Sequence, residues 1–369
     1  MTRILLPVLT LGILVFAANP ASHLYAASMA ADSSRGVRVL QTLSCLQCHR
    51  INGNGGTGGP DLGWMIGRNF TPATLAAAMW NHAPAMWSAM RARNLAPGDL
   101  DEQAAADLFA YFYSVRFFEK PGDASRGKAA FESKGCSSCH GLLRANQASA
   151  KPVSEWESVS EPISLASAMW NHGARMAADV AKRRLKWPQL TSQDLTDLVI
   201  YLQGQHRKVA VSEHFELTSG ADGDALFRTK GCAGCHVGTL ALPPRLKGRT
   251  LTDVAAAMWN HQPRMSFTAP ELTTTEMREI ASYLWAAGFF EDSGNAAAGR
   301  QVFAEKRCVA CHNAPKPNGR AFTGITMVTA LWRCGPQMLG QTKALGVAWP
   351  RFEEEQMSNL IAFLNSDRR

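Results

Sequence analysis

The stretch GVRVLQTLSCLQCH, residues 36–49, contains a pattern that this 369-residue chain repeats four times. Two cysteines separated by two residues are followed at once by a histidine, and a glycine stands nine residues before the first cysteine. The frame recurs as CSSCH at 136–140, CAGCH at 232–236 and CVACH at 308–312. Length alone suggests two or three domains, but a recurring frame of aligned residues predicts four small similar units.

The Cys-x-x-Cys-His frame is the attachment motif of a c-type haem. Two sulfurs three positions apart on one turn can bond to one porphyrin, and the adjacent imidazole can bind its iron. A zinc site needs four ligands, and one frame offers only three. A redox dithiol or a disulfide does not require the histidine. We therefore predict four covalently attached haem c groups. The predicted attachment and proximal residues are Cys45, Cys48 and His49; Cys136, Cys139 and His140; Cys232, Cys235 and His236; and Cys308, Cys311 and His312.

The residues around each motif predict helices. The glycine nine positions before the first cysteine and a large apolar residue four positions later share one helix face. These pairs are Gly36 and Leu40, Gly127 and Phe131, Gly223 and Phe227, and Gly299 and Phe303. We expect the apolar residues to pack in a core and the glycines to mark close approach by another helix. Each unit also ends in an amphipathic helix with apolar residues spaced i, i+3, i+4, as at Leu198, Tyr201 and Leu202.

These patterns predict an all-α fold of four tandem domains, each packed around one haem. The predicted boundaries are 32–120, 121–210, 218–292 and 293–369, and we refer to these segments as units 1 to 4. Polar linkers containing Gly, Asp or Ser separate them. Units this small have limited cores, so a covalently held haem would help to stabilise each of them.

The order of parts resembles the class I c-type cytochrome domain, repeated over nearly the whole chain after the N-terminal segment. The resemblance implies that the first and last helices of each unit cross at the glycine. It also implies that a proline carbonyl after the motif accepts a hydrogen bond from the proximal imidazole, as at Pro60, eleven residues after His49. Unit 3 has Pro243 and Pro244, and unit 4 has Pro315 and Pro317. Unit 2 departs most, with a polar insertion from 141 to 162 and Pro152 nearby.

A second phrase recurs between the motif and the last helix of each unit. It reads AMWNHAPAM at 78–86, AMWNHGARM at 168–176, AMWNHQPRM at 257–265 and ALWRCGPQM at 330–338. We interpret it as the end of a small-residue helix that runs into a turn. An electron-transfer haem commonly has His or Met as its sixth ligand. Only the methionine six residues after the tryptophan occurs in all four units, which predicts Met86, Met176, Met265 and Met338 as distal ligands.

Alternatives to this assignment remain open. His82, His172 and His261 could ligate the iron in three units, and the methionines could merely fill the core. We expect the tryptophans, Trp80, Trp170, Trp259 and Trp332, to pack beside the porphyrin. In unit 4 the histidine position is Cys334, which is interpreted either as a small buried residue in the space of the lost histidine or as a thiolate ligand.

The N-terminal segment differs from the rest of the chain. Arg3 precedes an apolar run, residues 4–18, and small residues follow, which is the order of parts in a secretory signal peptide. The run is shorter than the roughly 20 residues of a membrane-spanning helix. We expect residues 1–31 to direct export to the periplasm and to be removed, with an uncleaved anchor as the alternative. No integral membrane span is expected in the mature chain.

The formal charge of +8 does not indicate a nucleic-acid partner. The propionates of four haems would add about eight negative charges and bring the holoprotein close to neutral. No basic cluster interleaved with aromatic residues is present, so nucleic acid is not expected as a partner.

The sequence therefore predicts an electron carrier and not an enzyme, with no catalytic residues. Its expected partners are a redox protein donor and acceptor, including a dehydrogenase or a terminal oxidase or reductase complex. The alternative is a haem-containing enzyme, or the cytochrome subunit of a dehydrogenase complex, in which one haem keeps a catalytic or labile site.

Overall fold

The protein is described by a computed structural model that covers most of the four predicted units. The described residues are 31–63, 70–96, 98–115, 121–148, 150–156, 159, 161–205, 217–218, 220–246, 249–265, 269–289, 294–313, 321–353 and 355–366. The predicted leader, apart from Ala31, lies outside these residues, as do Pro315 and Pro317 and most of the predicted linkers.

The described part of the chain is built mainly of helices, which confirms the all-α prediction. Units 1 and 2 contain α1 (Ser33–Thr42), α2 (Pro72–Ala92), α3 (Glu102–Val115), α4 (Ala124–Ser133), α5 (Pro162–Lys182) and α6 (Ser192–Gln203). Units 3 and 4 contain α7 (Gly223–Thr229), α8 (Leu242–Arg245), α9 (Leu251–His261), α10 (Thr274–Phe289), α11 (Ala296–Glu305), α12 (Gly324–Ala344) and α13 (Gln356–Leu364). A small antiparallel hairpin, β1 (Arg50–Ile51) and β2 (Asn54–Gly55), follows the first motif. Single 3-10 turns span Cys45–Gln47, Cys136–Ser138, Val153–Glu155, Cys232–Gly234, Gly238–Leu240, Gln262–Arg264 and Cys308–Ala310.

In every unit the first and last helices cross at the predicted glycine. A Cβ atom on Gly127 would lie 2.6 Å from the Cβ of Tyr201, well inside normal contact distance, and would also meet the backbone of Asp197. Gly36, Gly223 and Gly299 face the last helices of their own units in the same way. The apolar residues four positions after these glycines are buried. The sequence prediction of a glycine-mediated crossing is therefore confirmed.

A buried carboxylate reinforces the crossing in units 1 and 2. Asp107 on α3 accepts hydrogen bonds from the guanidinium of Arg35 on α1 and from the backbone N–H of Asp32. Asp197 on α6 receives the same pair from Arg126 and from the N–H of Asp123. Each aspartate is almost fully buried, and pairing with arginine offsets the cost of burying its charge.

The predicted turn inside the Trp-Asn-His phrase is wrong for three units. In units 1, 2 and 4 the phrase lies within a continuous helix of 21 residues, and Pro84 and Pro336 stand inside α2 and α12. Only in unit 3 does the helix end at the histidine, His261, and a 3-10 turn follows. Proline inside a helix is costly in isolation, but here α2 and α12 are packed against each other, which favours the helical conformation.

The long helices pair the units. Helices α2 and α12 run side by side in the same direction, with Gly324 against Ala73 and Gly335 against Trp87. Helix α5 packs on α9 and on the 3-10 turn that follows it, with Gly173 against the side chain of Gln262. Unit 1 is therefore paired with unit 4, and unit 2 with unit 3.

Unit 1 also contacts unit 3 and so links the two pairs. Trp285 of α10 stacks on Phe109 of α3 with ring centres 5.9 Å apart, and its ring lies 4.7 Å from that of Tyr113. The Tyr113 hydroxyl accepts a hydrogen bond from the backbone N–H of Leu251 at 3.2 Å. The contacts thus place the units in the order 4–1–3–2, which differs from their order along the chain. Within the described residues, no helix combines the length and the apolar character needed to cross a membrane.

Candidate haem sites

The four cysteine motifs fold into the same local turn. The residue before the first cysteine has a left-handed backbone in each case: Ser44, Gly135, Gly231 and Arg307 have φ values of 56°, 82°, 82° and 59°. This conformation ends the preceding helix and starts a 3-10 turn. The N–H groups of the second cysteine and of the histidine then both donate to the carbonyl of the first cysteine, as in His49 to Cys45 at 2.9 Å. The sequence predicted the motif but not this left-handed position, which glycine occupies in only two units.

The motif cysteines are available for bonding, because none of the nine cysteines of the chain forms a disulfide. The first cysteine of each motif lies against the core, and the second is partly or fully exposed. Burial raises the pKa of the Cys45 thiol to about 11, and burial likewise raises that of Cys136 to about 11. The paired thiols lie on one short turn, as attachment to a single porphyrin requires.

The proximal histidine of unit 1 is held by a backbone carbonyl, as the family resemblance implied. His49 Nδ1 lies 3.0 Å from the carbonyl oxygen of Pro60. A carbonyl oxygen only accepts hydrogen bonds, so Nδ1 carries the proton and the lone pair of Nε2 remains for a metal. Gly59 lies directly on the ring, since a Cβ atom there would be 2.7 Å from Nδ1.

Units 2 and 3 use other carbonyls for the same purpose. His140 Nδ1 lies 3.0 Å from the carbonyl oxygen of Lys151, again eleven residues later, within the polar insertion. The insertion also places the ring of Trp156 edge-on against the His140 ring, at 5.1 Å between ring centres. In unit 3 His236 Nδ1 lies 3.3 Å from the carbonyl oxygen of Leu240, a closer residue in sequence than Pro243 or Pro244. Proline itself is therefore not the requirement; a positioned carbonyl is.

A second imidazole faces the proximal one in units 1, 2 and 3. The distance between ring centres is 5.8 Å for His49 and His82, 6.0 Å for His140 and His172, and 6.1 Å for His236 and His261. Burial, followed by the charge of His49, lowers the pKa of His82, and burial is also the main cause that lowers the pKa of His172 and His261. The neutral imidazole that these shifts favour is the form that binds metals.

Two of the predicted distal methionines, Met86 and Met176, lie one helical turn after His82 and His172 on the same helices. Met265 follows the 3-10 turn after His261. Met86, Met176, Met265 and Met338 are each half-buried and pack against the apolar core. Their role as iron ligands stays a prediction. Cys334 is exposed on α12, so it does not fill a buried space left by the missing histidine.

The tryptophan and asparagine of the phrase have a role that the sequence did not reveal. The Asn171 side chain donates to the carbonyl of Leu272 and accepts from its N–H, at 2.8 and 2.9 Å, and Trp170 donates to the Pro270 carbonyl. The contact is reciprocal, because Asn260 of unit 3 binds the backbone N–H and carbonyl of Leu190 in unit 2. We call these paired contacts the Trp-Asn clamp; Asn81 with Phe352 completes the set in the other pair. The signal available in the sequence was the fixed Trp-Asn register in three units.

These features fit a c-type haem. Two thiols on one turn, an imidazole whose Nδ1 is occupied by a carbonyl, and an apolar surface beside them are the groups that such a cofactor needs.

Residues 33–116 and 124–205 both match the cytochrome c family. These two segments are therefore similar to c-type cytochrome domains, the modules of electron-transfer haem proteins, and the similarity implies covalently bound haem c and redox partners. The matched segments coincide with units 1 and 2, in which the glycine crossing and the supported proximal histidine are both present. Comparison with curated proteins and with solved structures gives no match.

Proposed function

We propose that this chain is an exported tetrahaem c-type cytochrome that relays electrons between redox proteins. The observation that carries the proposal is the recurrence of one haem-attachment turn at four places, two of which lie in segments matching the cytochrome c family. Units 3 and 4 share the turn, the left-handed residue before it and the glycine crossing with the matched units. These shared features support a haem in every unit.

The residues of each unit divide the work of holding the cofactor. The two cysteines would hold the haem through thioether bonds and the histidine Nε2 would ligate its iron, and in units 1, 2 and 3 a carbonyl fixes the orientation of the histidine ring. When bound, each haem supplies an iron that changes between ferric and ferrous by one electron. The crossing helices and the Trp-Asn clamps hold these side chains in place, so that little movement accompanies the change of charge.

The contact order of the units suggests a path for electrons. Unit 1 lies between unit 4 and unit 3, and unit 3 lies between unit 1 and unit 2. We propose that electrons pass along 4–1–3–2 in one direction or the other, and not along the order of the chain. Units 4 and 2 would then be the ends that meet the donor and the acceptor.

We further propose that the protein works in the periplasm after removal of residues 1–31. A dehydrogenase on one side and a terminal oxidase or reductase on the other are the partner classes that such a carrier would serve. The chain would act as a carrier with no catalytic residues of its own.

Intact-mass analysis of the exported protein, together with a pyridine haemochrome assay, tests the proposal. We expect four covalently bound haems per chain and loss of the N-terminal leader. The double variant Cys308→Ala/Cys311→Ala should carry three haems, whereas the control Cys334→Ala should still carry four. A bare polypeptide, or a chain that carries haem only in units 1 and 2, would contradict the tetrahaem assignment.

A further inference from the structure

We propose that His82, His172 and His261 are the sixth iron ligands in units 1, 2 and 3, and that Met338 in unit 4 alone supplies a thioether. This inference rests on the proposed function, since it requires haem in these units. It replaces the sequence assignment of Met86, Met176 and Met265 with that of the histidines four residues before them.

The separation of the facing imidazoles matches what one shared iron would impose. A metal–imidazole bond of about 2.0–2.1 Å, with the ring centre about 1.1 Å beyond the nitrogen, places two axial ring centres about 6.2 Å apart. The three pairs are 5.8, 6.0 and 6.1 Å apart.

The arrangement recurs in three different surroundings. The rings of the three pairs are inclined at 65°, 68° and 56°. His140 is also contacted by Trp156, and His236 by Phe227, and in unit 3 the helix ends at the distal histidine. Because the neighbours of the rings differ while the facing geometry is kept, the facing geometry does not depend on those neighbours.

The helical register separates the histidine from the methionine. On the continuous helices α2 and α5, four residues correspond to about 6 Å along the axis. His82 already faces His49, so the backbone of Met86 lies about one turn further along the helix. In unit 4 the residue aligned with these histidines is Cys334, which is much smaller. Side chains on a helix lean towards its N-terminus, so Met338 can extend back over Cys334.

The Trp-Asn clamp explains why the histidine faces the haem side. In unit 2, Trp170 and Asn171 are held by the backbone of unit 3, which fixes the rotation of α5 about its axis. The next residue, His172, then points about 100° away from the asparagine. In unit 4 the asparagine and the histidine are both replaced, by Arg333 and Cys334. Trp332 still donates to the carbonyl of Gly98, so the asparagine and the histidine are the two residues lost together, which indicates that they serve one arrangement.

This ligation pattern gives the chain a direction. A Met ligand raises the potential of a haem relative to the other three sites. Unit 4 would then hold the haem of highest potential, at one end of the order 4–1–3–2. Electrons that enter at unit 2 would come to rest at unit 4, which makes unit 4 the exit.

Spectroscopy of the intact holoprotein tests the inference without any variant. Met-ligated ferric haem shows a charge-transfer band at the red end of the visible spectrum, which is absent when both ligands are imidazole. We expect the intensity of one haem per chain, and a redox titration with three low-potential haems and one of higher potential. The intensity of four haems per chain would overturn the proposal.

Matched variants locate the ligands. Met176→Leu should leave the band and all four haems unchanged, and Met338→Leu should abolish the band. His172→Ala should allow one carbon monoxide to bind per reduced chain, whereas the wild type should bind none. Loss of a quarter of the band in Met176→Leu would overturn the assignment.

Two controls separate other outcomes. Cys334→Ser should leave the band unchanged, and a change there would transfer the unit 4 ligand from Met338 to Cys334. The haemochrome assay counts haems in every variant. A wild-type chain without haem would refute the proposed function itself and not the choice of ligand.

Discussion

Gly127 occupies the point on α4 that lies closest to the backbone of α6. The space that a methyl group would need is taken by Tyr201 and by the backbone of Asp197. The equivalent glycines occupy the same place in the other units, so the residue type is set by the distance between two helices. The ability of glycine to adopt unusual backbone angles is not needed at Gly127, because this residue lies inside an ordinary helix.

Gly127→Ala should therefore destabilise unit 2. A Cβ atom 2.6 Å from that of Tyr201 forces α4 and α6 apart, and overpacking of this kind costs about 1–3 kcal/mol. Denaturant unfolding followed by far-ultraviolet circular dichroism measures the effect. Gly340→Ala is the matched control, because nothing lies within 4 Å of the Cβ position on that exposed helical turn. The control should be neutral or slightly stabilising, and equal losses in both variants would contradict the crossing argument.

At the scale of elements, the long helices are held in position by the loops of the neighbouring units. The segment before α10 is fixed by Asn171 of α5, and the segment before α6 by Asn260 of α9. An asparagine side chain matches a peptide group because it offers one donor and one acceptor. The clamp therefore joins two units through backbone groups, whose chemistry does not depend on the residues in the loop.

Asn171→Ala should release the loop of unit 3 while leaving that of unit 2 in place. The buried N–H of Leu272 loses its partner, which should cost about 1–3 kcal/mol, while the Leu272 carbonyl keeps the hydrogen bond from the Ser167 hydroxyl. Hydrogen exchange measured by NMR or mass spectrometry should show faster exchange at the amide of Leu272. Exchange at the amide of Leu190, which is bound by Asn260, is the internal control and should be unchanged. Equal acceleration at both amides would indicate general unfolding of the pair.

At the scale of the whole molecule, one aromatic cluster connects the two pairs of units. Trp285 of unit 3 is buried between Phe109 and Tyr113 of unit 1, and Phe109 also stacks on Phe70. The apolar core of unit 1 is thus continuous with that of unit 3. We expect these two units to unfold together, although unit 2 separates them in the sequence.

Trp285→Ala should destabilise unit 1 as well as unit 3. Truncation of a fully buried tryptophan costs about 3–5 kcal/mol, and part of that loss falls on the rings of α3. Limited proteolysis with mass mapping should show new cleavage in both units. Trp187→Ala is a suitable control, because Trp187 packs on Trp259 at the contact of units 2 and 3. It should expose those two units and leave α3 protected.

The sequence by itself determined the helical class, the places of the attachment motifs and the glycines at which the helices cross. These features depend on residues close together in the chain, or on a glycine at a helix crossing where a larger residue would not fit. The prediction of an electron-transfer haem protein followed from the same local motif.

Only the tertiary structure decided how the units pair and which side of the phrase faces the motif histidine. The phrase contains a tryptophan, an asparagine, a histidine and a methionine within seven residues, and helical spacing alone allows the histidine and the methionine to share one face. Contacts with residues about 70 to 270 positions away fix the rotation of the helix. The same packing maintains α2 and α12 as helices through an internal proline, where local preference predicted a turn.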